Sequence, residues 1–278
     1  MPYTNFKGDV WAKAIERIRD RYCVGAMLCN RDYEKEAVEF GKNIVIAFTK
    51  RPTVKSYTPG SSIDNAETLD HPMYMNLSVN QMKYVNFMVD DIDELQSRPN
   101  IMESCMLEAA SAIAQDADDF VYKMYDAAST SITQANVTSH NITEIISNAA
   151  LALYKANVPM NEELSLEVSP EIYQKLWLAK MLRSTSNEKE LGTGFVGMFD
   201  NFKIYLSNGI VKDTSGNHCC IARTRKAISF VGQMQKMEAY RPTGYFADAV
   251  KGLHVYGAVA TRPTEMVSLK LKPTAEPV

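Results

Sequence analysis

The chain has 278 residues, of which 46% are hydrophobic and 23% are charged, and its formal net charge is −3. This composition is that of a folded globular protein and excludes a largely disordered chain. The small negative charge gives no electrostatic reason to expect nucleic acid as an affinity partner. No apolar run reaches the roughly 18 residues that a membrane span needs, so we expect no membrane partner.

The N-terminus and the cysteines both indicate synthesis in the cytosol. Residues Met1–Asp9 are not followed by the apolar stretch of a signal peptide. The five cysteines are odd in number and irregularly spaced, which favours reduced thiols over a disulfide framework. They are Cys23, Cys29, Cys105, Cys219 and Cys220.

The first elements in chain order are a short helix and a pair of strands. Apolar residues recur at helical spacing over residues 9–21, which predicts an amphipathic helix that must dock its apolar stripe. Between Lys42 and Val89 the period changes to two, with a loop at residues 58–72 and a second strand that continues through Phe87. The strands have one polar face, so they predict a projecting arm that leans on a neighbour.

The strongest helical pattern in the chain covers Ile101–Ala128. Its length predicts a helix of roughly 40 Å, well above the usual dozen or so residues. Phe120 lies on the apolar stripe, which we expect to pack under a C-terminal sheet. Asp118 belongs to an acidic face, which we expect to be exposed and to repel packed DNA.

The remaining elements alternate between helices and strands. The pattern predicts a helix at 142–156 capped by Asn141, a strand at 164–168 and a helix from Ser169 to about Arg183. A loop at 184–197 follows, then a strand at 202–206 and two strands within 219–231. The chain is predicted to end in a hairpin, with strands at 253–259 and 267–271 around a turn at 261–264, and in a frayed tail from Pro273.

An acidic run at Asp90–Glu94 is the best candidate for metal chemistry. Carboxylates of this density can bind Ca²⁺ or Mg²⁺, but the run lacks the glycine and the final glutamate of a calcium loop. Capping of a helix N-terminus explains the same residues. We therefore assign no metal site, and keep a metal-dependent enzyme using this cluster as an alternative.

Other chemical motifs are weak, and no catalytic, cofactor-binding or metal residue is assigned. The four histidines are scattered, and His218-Cys219-Cys220 lacks the further ligands of a zinc site. Gly192–Gly197 matches a dinucleotide pattern in its letters but not in its expected strand-to-helix context, so a flexible loop is the better interpretation. We expect no cofactor, and a protein that is not an enzyme.

The order of the elements resembles the major capsid proteins of tailed bacteriophages, whose fold is named after the Hong Kong ninety-seven phage. The similar stretches are Val89–Gln96, Leu166–Glu171, Phe202–Asn208, Val250–Gly257 and Arg262–Thr264. The resemblance implies an α+β fold with a long spine helix, an extended β-arm (the E-loop), and peripheral and axial domains. An encapsulin-like compartment shell shares this fold and is a second alternative.

The resemblance also implies a division of the chain and a set of partners. It places an N-terminal arm and helix at 1–30, the extended β-loop at 31–89, the spine helix at 90–129, the axial domain at 130–244 and the C-terminal strands of the peripheral domain at 245–278. The implied partners are further copies of the chain in pentamers and hexamers, and a portal at one vertex. The shell would enclose double-stranded DNA without sequence-specific binding. Only about eight residues precede the first expected helix, so we expect a separate scaffolding protein. The implied location is the virion capsid, assembled in the host cytoplasm.

Overall fold

The computed structural model describes residues 23–35, 43–49, 52–62, 65, 73–91, 101–180 and 194–276. Within these ranges the elements in chain order are β1 (Asn43–Phe48), β2 (Met73–Ser78), β3 (Gln81–Asp90), α1 (Ile101–Tyr122), β4 (Thr130–Val137), α2 (Ile142–Lys155), β5 (Leu164–Val168), α3 (Pro170–Leu178), β6 (Phe195–Phe199), β7 (Phe202–Leu206), β8 (His218–Thr224), β9 (Ile228–Tyr240), β10 (Ala247–Ala260) and β11 (Met266–Pro273). Short 3₁₀ helices cover Lys123–Ala127 and Pro263–Glu265. The expected helix at residues 9–21 lies outside the described residues.

The strands form three sheets. β1 and β2 pair antiparallel as a two-stranded sheet, and β3, β10 and β9 form an antiparallel three-stranded sheet in that order. A mixed six-stranded sheet has the order β4-β11-β8-β5-β7-β6. The pairs β4–β11 and β5–β7 are parallel within it.

The main core lies in the six-stranded sheet and its helices. All residues of β5 and β8 are buried, as expected for strands in the middle of a covered sheet. The helix α2 buries one stripe at helical spacing: Ile142, Ile145, Ile146, Ala149, Ala150 and Leu153. The sheet and helices therefore form an α+β unit, as the sequence predicted.

The spine helix is shorter than predicted. The α-helix α1 has 22 residues, about 33 Å at 1.5 Å per residue, and a 3₁₀ turn carries the chain on to Ala127. Ala128 is already extended, with φ −64° and ψ 134°. On the inner face, Ala117 is buried, and the half-buried Phe120 makes an edge contact with Tyr256 of β10, ring centroids 5.5 Å apart. Contact with the C-terminal sheet is confirmed.

Two strand predictions are wrong. The second arm strand does not continue through Phe87, because β2 ends at Ser78 and β3 pairs with β10 in another sheet. The expected C-terminal hairpin does not form either: β10 pairs with β3 and β9, whereas β11 pairs with β4 and β8. Alternating burial identifies a strand, but it does not identify the strand's partner.

The sheet assignments bear on the expected division at residue 244. β9 lies before it and pairs along most of its length with β10, which lies after it. β11 lies after it and pairs with β4 and β8, which lie before it. Sheet membership therefore crosses this boundary in both directions, and the domain limits remain a prediction.

Several local predictions also change. Asn141 occupies the N-cap position of α2 without a capping bond, and its side chain instead accepts from the Thr138 amide at 2.9 Å. The helix α3 ends at Leu178, before the left-handed Lys180 with φ 54°. Residues 195–197, expected in a loop, belong to β6. The tail is held as far as Glu276, whose carboxylate accepts from Ser139.

Candidate assembly surfaces

The arm, defined here as residues 43–78, is packed at its base against its own subunit. Ile44 and Ile46 of β1 and Leu77 of β2 are buried, and they cluster with Val231 and Val255 of the three-stranded sheet. The intervening residues of β1 are exposed, as the two-residue period of a strand requires. The base of the arm is therefore part of the subunit core, and it does not need a neighbour to cover it.

A glycine on β10 fixes how closely the arm can approach. A Cβ atom built on Gly257 would lie 2.2 Å from the Ser78 carbonyl oxygen and 2.9 Å from the Val79 Cα. Both atoms are backbone, so they cannot rotate away from an added methyl group as a side chain could. Gly257 therefore allows the chain to pass directly across β10 between β2 and β3.

The far part of the arm is exposed. Every described residue from Pro52 to Ser62 is exposed, and Val54 keeps 93% and Tyr57 64% of their accessible surface. The amide and hydroxyl of Ser61 both donate to the Thr58 carbonyl, which closes a turn at residues 58–61. Large apolar side chains on an exposed segment are typical of a surface that a partner covers.

The outer face of the three-stranded sheet also carries exposed apolar side chains. Met82, Tyr84 and Met88 of β3 alternate along this face and are exposed. A shallow groove on the same sheet is lined by Tyr84, Asn86, Glu238, Lys251, Gly252 and Leu253. Its rim carries the Lys251–Glu238 ion pair, with Nζ and Oε2 3.2 Å apart.

The turn between β9 and β10 presents two adjacent aromatic side chains. Tyr245 and Phe246 are 64% and 82% exposed. The turn is held in place by Arg241, which pairs with Asp91 and, at 3.1 Å, with Asp248. An ordered turn with exposed aromatic rings has the composition of a contact surface.

A cluster of fully buried charged residues joins three parts of the chain. Glu167 of β5 and Arg223 of β8 form an ion pair at 2.7 Å, and neither side chain is exposed. Asp118 of α1 is also fully buried and accepts from the Ala26 amide at 3.1 Å. Burial by itself lowers the pKa of Arg223, but Glu167 and Cys29, through charge and hydrogen bonds, together raise it above its ordinary value. The guanidinium therefore stays charged.

The expectation of an exposed acidic face on the spine helix is wrong at Asp118, whereas Asp116 and Asp126 are partly exposed but bonded within the subunit. Asp118 points into the core, and Asp116 accepts from the Tyr256 hydroxyl at 2.6 Å. Asp126 pairs with Lys270 at 3.1 Å. These carboxylates are bonded within their own subunit, which weakens the idea of a bare acidic surface that repels DNA.

The structure brings together no metal site among the residues that it describes. No group of three histidine, cysteine, aspartate or glutamate side chains is close enough there to hold an ion. Of the acidic cluster Asp90–Glu94, Asp91 is paired with Arg241, and residues 92–94 lie outside the described ranges. All five cysteines are free thiols, as predicted.

Two of the four histidines, His218 and His254, are partly or fully buried within the subunit. Burial lowers the pKa of His218 below its ordinary value, with Glu171 opposing it from 3.7 Å. Burial also lowers the pKa of His254, whose ring lies 5.2 Å from that of Tyr256. Both imidazoles are therefore neutral at pH 7.

Sequence reasoning missed the buried charge cluster. The available signals were one glutamate within the apolar strand β5 and one arginine within the apolar strand β8. A charged residue inside a continuously buried strand must find a partner. The pairing of Glu167 with Arg223 follows from the neighbouring positions of β5 and β8 in the sheet, which the sequence did not reveal.

Solved phage structures share this architecture. A structure from Mycobacterium phage Che8 has a TM-score of 0.79 and 28% identity, and the match covers 96% of this chain and 98% of that chain. The capsid structure of cyanophage P-SCSP1u has a TM-score of 0.72 and 17% identity, covering 98% of this chain and 93% of that one. The chain therefore has the fold of phage capsid proteins, and the predicted recognition and fold class are confirmed.

The likeness extends over whole chains and not over one shared domain. The capsid of Ralstonia phage GP4 matches with a TM-score of 0.68 and 11% identity, covering 100% of this chain and 99% of that chain. Neither a family model nor a curated protein sequence matches this chain. Within the described ranges, no helix combines the length and apolar character that crossing a membrane requires.

Proposed function

We propose that this protein is the major shell-forming subunit of a phage capsid, a structural protein and not an enzyme. The observation that carries the proposal is the whole-chain match to capsid structures, including the one from cyanophage P-SCSP1u. Each solved structure reported above comes from a phage, which favours a virus over an encapsulin-like compartment. None of the solved structures reported above supports the metal-dependent enzyme that the Asp90–Glu94 cluster suggested.

The exposed surfaces support assembly from copies of the chain. The segment at residues 52–62, the β3 face and the aromatic turn at residues 245–246 all expose large apolar side chains. Contacts between unlike surfaces of identical subunits generate rings when the rotation from one copy to the next closes. We propose pentamers and hexamers as these rings, enclosing double-stranded DNA without sequence-specific contacts, with a separate scaffolding protein and a portal at one vertex. Assembly in the host cytoplasm completes the proposal.

Size-exclusion chromatography and negative-stain microscopy of the purified chain test this function. Shells elute at the void volume and appear as closed particles, and rings of five or six copies give a matching mass in native mass spectrometry. Discrete monomers or dimers, even with a scaffolding protein supplied, would contradict the proposal.

A further inference from the structure

We propose that Asn208, in the turn after β7, is a site of covalent modification by deamidation, and that Ser207 acts as a positioning residue that controls its rate. Deamidation converts the side-chain amide of Asn208 into a carboxylate. The reaction needs only water and the chain itself, so this inference goes beyond the proposed shell function and does not depend on it.

The site is the single asparagine–glycine pair in the sequence, Asn208-Gly209. The two residues form the turn that follows β7, which ends at Leu206. Asn208 is exposed, so water reaches its side chain. Gly209 has no Cβ atom, so no side chain of its own crowds the approach of the Asn208 amide to the Gly209 backbone nitrogen. The pair therefore has the composition that favours attack of the main chain on the asparagine side chain.

The reaction joins the Gly209 backbone nitrogen to the Asn208 Cγ. As this C–N bond forms, the Cγ–Nδ2 bond breaks, and the proton of the attacking nitrogen leaves with the amide group as ammonia. Water then opens the five-membered imide at one of its two carbonyls. One opening leaves an aspartate at position 208, and the other leaves an isoaspartate, in which the former side chain is part of the main chain. In sum, the amide and one water become a carboxylic acid and ammonia.

The folded turn holds the attacking nitrogen in a hydrogen bond. The Gly209 N–H donates to Ser207 Oγ at 3.1 Å, a local bond of the kind that serine side chains make in turns. Ser207 is itself fixed, because it is buried and its N–H donates to the Val168 carbonyl of β5 at 3.0 Å. Gly209 is buried as well. The reaction must therefore start from an opened turn, and the Ser207 hydroxyl sets how often the turn opens.

A second asparagine in a turn of the same sheet has the opposite properties. Asn201 lies between β6 and β7, but the next residue is Phe202, whose fully buried side chain crowds the backbone nitrogen. The Asn201 Nδ2 donates to the Met160 carbonyl at 3.0 Å and to the Tyr154 hydroxyl at 3.2 Å, and these bonds hold the amide in place. Asn201 should therefore stay intact while Asn208 reacts, and it supplies an internal control.

The test stores the folded, full-length chain at mildly alkaline pH and follows Asn208 and Asn201 by peptide mapping and mass spectrometry. A synthetic peptide covering residues 202–213 gives the rate of the open chain under the same conditions. We expect Asn208 to become aspartate and isoaspartate in both samples, at least about tenfold more slowly in the folded chain, because the turn must first open. Asn201 should show no reaction over the same period.

Variants of Ser207 test its control of the rate. Ser207→Ala removes the acceptor of the Gly209 N–H and should make Asn208 react roughly fivefold faster than in the wild type, since one hydrogen bond that opposes opening is lost. Ser207→Thr restores a hydroxyl group and should return the rate toward that of the wild type. The matched control, Ser215→Ala, changes an exposed serine in the turn before β8 and should leave the rate unchanged.

Several outcomes would overturn the inference. An Asn208 that stays intact in the folded chain while Asn201 reacts would remove the site, and a wild-type rate in Ser207→Ala would remove the role of Ser207. If Ser207→Ala fails to fold, hydrogen exchange of the Gly209 amide in the wild type decides. Its protection should match the slowing of deamidation relative to the peptide within about threefold, because both report the same opening, and a mismatch would contradict the control by Ser207.

Discussion

The six-stranded sheet and the arm both contain large apolar residues, but the sheet buries them and the outer arm exposes them. In the sheet, β5 and β8 bury every residue and even enclose an ion pair. In the described part of the arm, the base is buried, whereas the segment from Pro52 to Ser62 exposes Val54 and Tyr57. Apolar residues in the sheet make the subunit stable, whereas apolar residues on the outer arm are available for contact with another molecule. Stability and assembly should therefore respond to different mutations.

The largest effect on stability should come from the sheet. Leu166→Ala truncates a side chain that is 1% exposed at the centre of β5 and should lower the free energy of unfolding by about 2–5 kcal/mol. Val54→Ala on the arm should change it by less than about 0.5 kcal/mol. Chemical denaturation of both variants before assembly measures the difference. Similar losses would show that the segment at residues 52–62 also belongs to the cooperative core.

Asp118 provides the next test, because the sequence placed it on the surface and the structure buries it. Asp118→Ala leaves the Ala26 amide without its acceptor and should cost about 3 kcal/mol. Asp126→Ala removes an exposed partner of Lys270 and should cost less than about 1 kcal/mol. Equal thermal midpoints for the two variants would mean that Asp118 faces solvent.

Gly257→Ala tests the junction between the two regions. The added methyl group would meet the backbone of Ser78 and Val79, so the base of the arm must move, at a cost of about 1–3 kcal/mol. We expect a modest drop in melting temperature and a severe loss of assembled particles. A variant that assembles at the wild-type yield would show that the arm tolerates displacement at its base.

A smaller effect should appear in acid at the C-terminal tail. Hydrogen bonds from Lys175 and Ser139 lower the pKa of Glu276 to about 2 from its ordinary value of 4.5. A carboxyl group with a lowered pKa stabilises the folded state above the higher value and loses that contribution as the pH falls between the two. The wild-type advantage over Glu276→Gln should therefore be full at pH 7 and shrink below about pH 4.5. Thermal melts across this range measure it, and a pH-independent difference would contradict the assignment.

The sequence predicted the elements better than their partners. The spacing of apolar residues predicted the bounds of β5, α2 and β7 to within about one residue, because one face of each element must be apolar. It could not pair β11 with β4 and β8, since the same alternation fits any neighbouring strand. The short connection between β10 and β11 led to the wrong prediction of a hairpin, because the chain passes there from the three-stranded sheet to the six-stranded sheet.

The assembly surfaces were predicted less well than the fold. The arm was recognised from its polar face, but the burial of its base on Val231 and Val255 requires the tertiary structure. Asp118 was predicted on the exposed side of the spine helix because the prediction used only charge and helical spacing. The Ala26 amide, which is the donor that Asp118 binds, is distant in the sequence. Long-range partners of this kind are fixed by the fold and leave no local signal in the sequence.

The most direct test of the account compares the wild-type chain with a variant in which residues 52–62 are replaced by a short glycine-serine linker. The segment is exposed throughout, so the free energy of unfolding should stay within about 0.5 kcal/mol of the wild type. Sedimentation velocity should then show shells or rings of five or six copies for the wild type, and single subunits for the variant. Identical assembly of the two proteins, or a wild-type chain that remains monomeric, would contradict the claim that this is a shell subunit whose arm joins one copy to the next.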